Sequence, residues 1–195
     1  MKKIGITGGI GVGKTYVSDI LKRLNFPVYN SDIASKKLVN TNNKLISAIK
    51  QEFGHDIYHN DLINSSKLAA LVFVKPSMLN KLNSIVHPFV KKDFNIWCEK
   101  QDSKLVFKEA AILFESNANI DLDAVICVCA NEEIRISRIK KRDNKEKEEI
   151  KLIISRQLRQ EEKENLSDYK IINDGKSSLL LQIDKILIDL KEVSY

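Results

Sequence analysis

Near the amino terminus, Gly8-Gly9-Ile10-Gly11-Val12-Gly13-Lys14-Thr15 has the spacing G-x-x-x-x-G-K-[ST] of a phosphate-binding loop. Glycines at these places let the backbone bend so that successive N–H groups converge on an anion. A helix opening at the lysine adds the positive end of its dipole. Lys14 supplies a point charge for the β- and γ-phosphates, and the Thr15 hydroxyl is a ligand for Mg²⁺. A chance glycine turn carrying a surface lysine has the same composition. The flanks argue against it: Ile4-Gly5-Ile6 reads as a strand, and Tyr16-Val17-Ser18-Asp19-Ile20-Leu21 reads as a helix. The expected ligand is a nucleoside triphosphate. The expected contacts are Gly9, Ile10, Gly11, Val12, Gly13, Lys14, Thr15 and Tyr16.

Phosphoryl transfer needs an aligned acceptor hydroxyl, a neutralised phosphate and excluded water. Asp32 is the candidate carboxylate to orient that hydroxyl and take its proton, with capping of a helix from Ile33 as its plainer role. Glu109, at the end of a later strand, either holds an Mg²⁺-bound water or simply ends the strand. Arg138 and Arg142 lie four apart on one helical face, which suits a clamp on anionic oxygens. Ion pairing with Glu133 or Glu146 is the competing reading. His87, followed by Pro88, is open to reading as no more than a helix boundary.

These residues require an open α/β sheet, in which ligands sit beyond the carboxyl ends of the strands. The apolar runs 4–6, 26–30, 105–107, 124–129 and 169–172 supply five strands, with helical patterns between them. Strands alternating with helices predict a parallel sheet with helices on both faces, a three-layer P-loop NTPase-type fold. The loop, Asp32, Glu109 and Asn173-Asp174-Gly175 would then converge at one edge. Residues 60–101 break the alternation, with Pro76 placed to start a helix, and predict a helical insertion. It either covers a substrate or serves as a structural cap. The charged stretch 135–163 reads either as a solvated helix pair laced with salt bridges or as a mobile lid carrying arginines to the phosphates. Leu179, Ile183, Ile186, Leu187 and Leu190 mark an amphipathic helix packed back on the sheet.

The 195 residues, 43% hydrophobic and 30% charged, suffice for one domain with a real core and argue against disorder. No apolar run approaches the ~20 residues of a membrane span. Met1-Lys2-Lys3 runs straight into the first strand rather than into a signal peptide, so a cytoplasmic enzyme is expected. Cys98, Cys127 and Cys129 lack metal-ligand spacing and read as small packing residues. The net charge of +6 suits phosphate ligands and nucleic acid alike, but its lysines are scattered rather than interleaved with aromatics.

The ordered set of motifs resembles the dephospho-CoA kinase family along nearly the whole chain. Thr7 to Thr15 is similar to that family's phosphate loop, Asn30-Ser31-Asp32 to its D-A-D segment, and His87-Pro88 to its H-P motif. Ile112-Leu113-Phe114-Glu115 resembles P-L-L-F-E, and Arg138 with Arg142 resembles R-x-x-x-R. Gln157, Lys163, Asp168-Tyr169 and Ile172-Asn173-Asp174-Gly175 match later positions. The resemblance implies transfer of the ATP γ-phosphate to the ribose 3′-hydroxyl of dephospho-CoA, with Mg²⁺. It implies Asp32 as base, with Lys14 and Arg142 completing the catalytic set. Substrate binding falls to Asp32, His87, Glu109 and the 60–101 insertion, and 139–160 becomes a lid carrying Arg142 to the nucleotide. Arg138, Asn173 and Gly175 join the ATP contacts, the last two near the adenine. A monomer or weak homo-oligomer without nucleic-acid or membrane partners is expected. Two departures stand out: Asn30 replaces the first aspartate of D-A-D, and Ala111 replaces the proline of P-L-L-F-E. The rivals are a kinase of another nucleoside or nucleotide, and an NTP-driven switch or nucleic-acid-linked ATPase.

Overall fold

The computed structural model describes residues 1–60, 62–74 and 76–192. The chain divides into two compact units, one of residues 1–29 with 102–195 and one of residues 30–101. Asp61 and Lys75 of the expected insertion, and residues 193–195 at the end of the expected domain, lie outside the described residues.

The first unit is built on a parallel sheet. Its strands are β1 (Lys2–Thr7), β2 (Val28–Asn30), β5 (Leu105–Glu109), β6 (Ala124–Cys129) and β7 (Tyr169–Ile172), in the order β2-β5-β1-β6-β7. β1 pairs in parallel with β5 and β6, and β6 with β7. Every residue of β5 is buried, which explains why the central strands read as unbroken apolar runs: a parallel sheet is covered on both faces.

Side chains alternate across the sheet and sort the layers. Ile4, Ile6, Phe107, Ile126 and Val128 share one face with Val17 and Leu21 of α1 (Lys14–Arg23) and Ile183 and Leu187 of α9 (Leu179–Glu192). On the other face Val125 packs with Ala110 and Leu113, beneath the turns that follow β5. Helices α6 (Glu132–Asp143), α7 (Lys147–Ser155) and α8 (Gln160–Asn165) occupy the span expected to form a lid. β2 is shorter than its apolar run suggests. Phe26 instead turns edge-on to Phe107, with ring centroids 5.7 Å apart, and the Pro27 carbonyl accepts from Phe107 N–H.

The second unit contains α2 (Ser31–Thr41), α3 (Asn43–Phe53), a short hairpin of β3 (Tyr58–His59) and β4 (Leu62–Ile63), α4 (Ser65–Val74) and α5 (Pro76–Glu99). It opens at Asn30 rather than near Asn60, and the hairpin makes it not wholly helical. Asn42 Oδ1 caps α3 by accepting from Leu45 N–H. The hairpin is tied to α2 by Tyr58 Oη donating to Val39 O (2.7 Å) and Ile63 N–H donating to Asn40 Oδ1 (2.9 Å). Burial pushes the Tyr58 hydroxyl up to about 12. His87 and Pro88 do not end a helix: α5 runs through them, although proline supplies no N–H to the helical ladder. Among the described residues, no helix is long and apolar enough to cross a membrane.

Candidate active site

The phosphate loop joins β1 to α1. Gly13 caps that helix in the left-handed region (φ 92°), and a Cβ there would overlap the Asn173 side-chain amide. The next residues enter the helix, with Tyr16 and Val17 N–H groups donating to Gly13 O, while the Tyr16 ring stays exposed. Lys14 Nζ folds back onto the carbonyls of Gly8 (3.0 Å) and Gly9 (3.2 Å). Sheet register explains the neighbouring carboxylate. Glu109 pairs opposite Ile6, so it leaves β5 level with the start of the loop. There it is 4% exposed and accepts from the Thr15 hydroxyl at 2.9 Å. The candidate metal ligand and the third-strand carboxylate are therefore in contact.

A second layer of side chains grips the loop from outside. Arg138, on α6, donates to Val12 O (3.1 Å), Asn173 O (3.1 Å) and Asn173 Oδ1 (3.2 Å). Asn173 Nδ2 donates to Val12 O at 2.8 Å, and Asn173 N–H is held by Cys129 O at the end of β6. Asn173 is thus brought to the loop, while Gly175 lies just past it at φ 80°. Arg135, one turn before Arg138, is 5% exposed and donates from Nε to Ile10 O. Burial lowers its guanidinium pKa. Gly9 N–H donates to Gln160 Oε1 (2.9 Å), and Ile10 N–H donates to Gln157 Oε1 (2.8 Å). Sequence reasoning passed over Arg135 and Gln160. The spacing 135, 138, 142 along one helix was a readable signal for the arginine; nothing local marked Gln160.

Arg142 is not gathered to the loop. Its side chain is 64% exposed and makes a two-pronged pair with Asp143, at 2.7 Å and 2.9 Å, rather than with Glu133 or Glu146. Each partner favours the other's charge, raising the Arg142 pKa and lowering that of Asp143. Asp32 and His87 belong to the second unit. The cap of α2 is Asn30, whose Oδ1 accepts from Ile33 N–H at 2.9 Å, so the capping role considered for Asp32 falls to its neighbour. Asp32 sits exposed in the first helical turn, where a carboxylate is favoured by the dipole. The uncharged Asn30 performs the capping as well as an aspartate would. His87 is half-buried in mid-α5.

Residues 2–178 match the family described as dephospho-CoA kinase. The chain belongs to the dephospho-CoA kinase family. A dephospho-CoA kinase of Porphyromonas gingivalis is 39% identical, over 96% of this chain and 93% of that relative. One from Bacteroides fragilis is 37% identical, over 95% and 91%. A Thermus thermophilus crystal structure superposes with a TM-score of 0.85 at 27% identity, covering 100% of this chain and 98% of that one. Membership in the dephospho-CoA kinase family makes the chain an ATP-using phosphotransferase of coenzyme A synthesis, as the motifs led us to expect.

Proposed function

We propose that this chain transfers the γ-phosphoryl group of ATP to the ribose 3′-hydroxyl of dephospho-CoA, releasing ADP and CoA. The observation that carries the reading is a complete phosphate loop, with Thr15 and Glu109 in contact at its edge, in a chain of that family. Lys14 leaves the Gly8 and Gly9 carbonyls to meet the β- and γ-phosphates. The loop amides and the start of α1 hold the remaining oxygens, with Arg138 and Asn173 keeping the loop in shape.

The Thr15 hydroxyl beside the Glu109 carboxylate is an all-oxygen donor set, which fits Mg²⁺. The ion would supply positive charge that offsets the charge building on the phosphates. Asp32 accepts the 3′-hydroxyl proton as that oxygen bonds to the γ-phosphorus and the bond to ADP breaks. His87 and the 60–101 span help hold the acceptor. The 139–160 span acts as the lid, and Arg142 exchanges its Asp143 partner for phosphate oxygens, which suits a fork-shaped cation in an exposed pair. The adenine lies near Asn173 and Gly175. The protein works in the cytoplasm as a monomer or weak homo-oligomer, without nucleic acid.

The test is turnover of purified protein with ATP and Mg²⁺ against a panel of acceptors. Dephospho-CoA should be phosphorylated at the 3′ position, with shikimate and nucleoside monophosphates inert. Phosphorylation of a mononucleotide with dephospho-CoA inert refutes the reading, as does ATP turnover that depends on DNA or RNA.

A further inference from the structure

We propose that Gln157 and Gln160 are positioning residues for the phosphate loop, and that the buried Lys163, paired with Glu115, sets them in place. The inference rests on the reading above that this loop holds the ATP phosphates.

The loop's first turn is held by side chains far away in sequence. Gln160 Oε1 takes Gly9 N–H, Gln157 Oε1 takes Ile10 N–H, and Arg135 Nε takes Ile10 O. With both its donor and its acceptor taken, Ile10 cannot rotate, and the direction in which the chain enters Gly11 is fixed. Anion recognition is left to the later amides, and their aim depends on that entry.

The orientation of Gln160 is itself determined. Its Nε2 donates to Val128 O (3.2 Å), to Glu164 Oε1 (3.1 Å) and toward Cys127 Sγ (3.4 Å), so its carbonyl can only face the loop. A glutamate at 160 would set its second oxygen against the Val128 carbonyl and the Glu164 carboxylate.

Behind the glutamines, Lys163 is fully buried and donates to Ala111 O (2.6 Å) and Glu115 Oε1 (2.7 Å). Glu115 Oε1 also accepts from Leu158 N–H at 2.9 Å, the residue immediately after Gln157. The pair therefore anchors the turn entering α8 to the segment after β5, and the two glutamines project from that anchored turn. Lys163 is fully buried and needs both acceptors, Ala111 O and the partly exposed Glu115 carboxylate, which holds it to one arrangement and suits a positioning role.

Gln157→Met, Gln160→Met and Glu115→Gln separate positioning from simple packing. ATP affinity is measured by calorimetry without acceptor, KM for both substrates by steady-state kinetics, and stability by melting temperature. Each methionine variant should weaken ATP binding roughly three- to tenfold, the value of one such hydrogen bond, with the KM for dephospho-CoA within about twofold of wild type. Glu115→Gln keeps an acceptor for Leu158. It should weaken ATP binding in the wild-type background and add little to Gln157→Met.

Unchanged ATP affinity in both methionine variants, with only the melting temperature lowered, refutes the proposal. Full additivity of Glu115→Gln with Gln157→Met refutes the role of the ion pair. If Glu115→Gln does not fold, the methionine variants decide alone. Failure of wild type to phosphorylate dephospho-CoA overturns the acceptor assignment, whereas the ATP-binding arms are read without an acceptor.

Discussion

Lys14 and Asp32 serve opposite ends of the proposed transfer, and their substitutions should fail in different ways. Lys14 lies on the Gly8 and Gly9 carbonyls of the loop and is the natural partner of charge that builds on the phosphates in the transition state. Removing one such preorganised contact costs about 2.7–4 kcal/mol, so Lys14→Ala should lower kcat by 10²–10³, with ATP affinity falling too. In the proposed transfer Asp32 acts on the acceptor hydroxyl rather than on the nucleotide. Asp32→Asn keeps the shape but cannot take a proton, and should lower kcat by roughly 10²–10⁴. Calorimetry on the same variant should return a wild-type ATP affinity. Normal turnover by Asp32→Asn would remove that residue from the mechanism. A matching loss of ATP binding would place it on the nucleotide instead.

Among the elements, α2 and the loop show what local sequence can and cannot disclose. Asn30 caps α2 through Ile33 N–H, so Asn30→Ala should cost about 1 kcal/mol in denaturant unfolding, while Asn30→Asp keeps the bond and should cost almost nothing. An alanine variant as stable as wild type would deny the cap. The asparagine stands three residues before Ile33, a spacing visible in the sequence, yet the more eye-catching aspartate drew the assignment. The sheet was legible for a simple reason: β1, β5 and β6 are buried on both faces and therefore written as apolar runs. The loop was legible because its glycines, Lys14 and Thr15 act within one short segment. Gln160 was not, since it meets the loop across more than a hundred residues and leaves no periodic trace. Arg135 is just as distant, but it shares a helical spacing with Arg138 and Arg142 that could have marked it. The hairpin of Tyr58–His59 with Leu62–Ile63 is too short to show alternation. Pro88 was read by its local preference, which the packing of a 24-residue helix overrides.

At the scale of the whole molecule, the proposed site makes folding stability a function of nucleotide concentration. A ligand that binds only the folded chain stabilises it by RT ln(1 + [L]/Kd), about 2.7 kcal/mol at a hundred times Kd. For a chain of this length each kcal/mol raises the melting temperature by about 2–4 °C. A non-hydrolysable ATP analogue at that concentration should therefore raise it by roughly 5–11 °C. The phosphate loop dictates how the shift is distributed among ligands. ADP should retain much of it, whereas AMP and adenosine, lacking the β-phosphate that the proposal assigns to Lys14 and the loop amides, should give little at equal concentration. Chelating Mg²⁺ should reduce the shift from the ATP analogue, because in the proposed site Thr15 and Glu109 would hold the ion that offsets the phosphate charge. In Lys14→Ala a hundredfold loss of affinity would leave about 0.4 kcal/mol at the same ligand concentration, a shift of about 1 °C. Equal shifts from adenosine and the ATP analogue would mean that the triphosphate is not what this fold recognises. An undiminished shift in Lys14→Ala would put the nucleotide somewhere other than the loop.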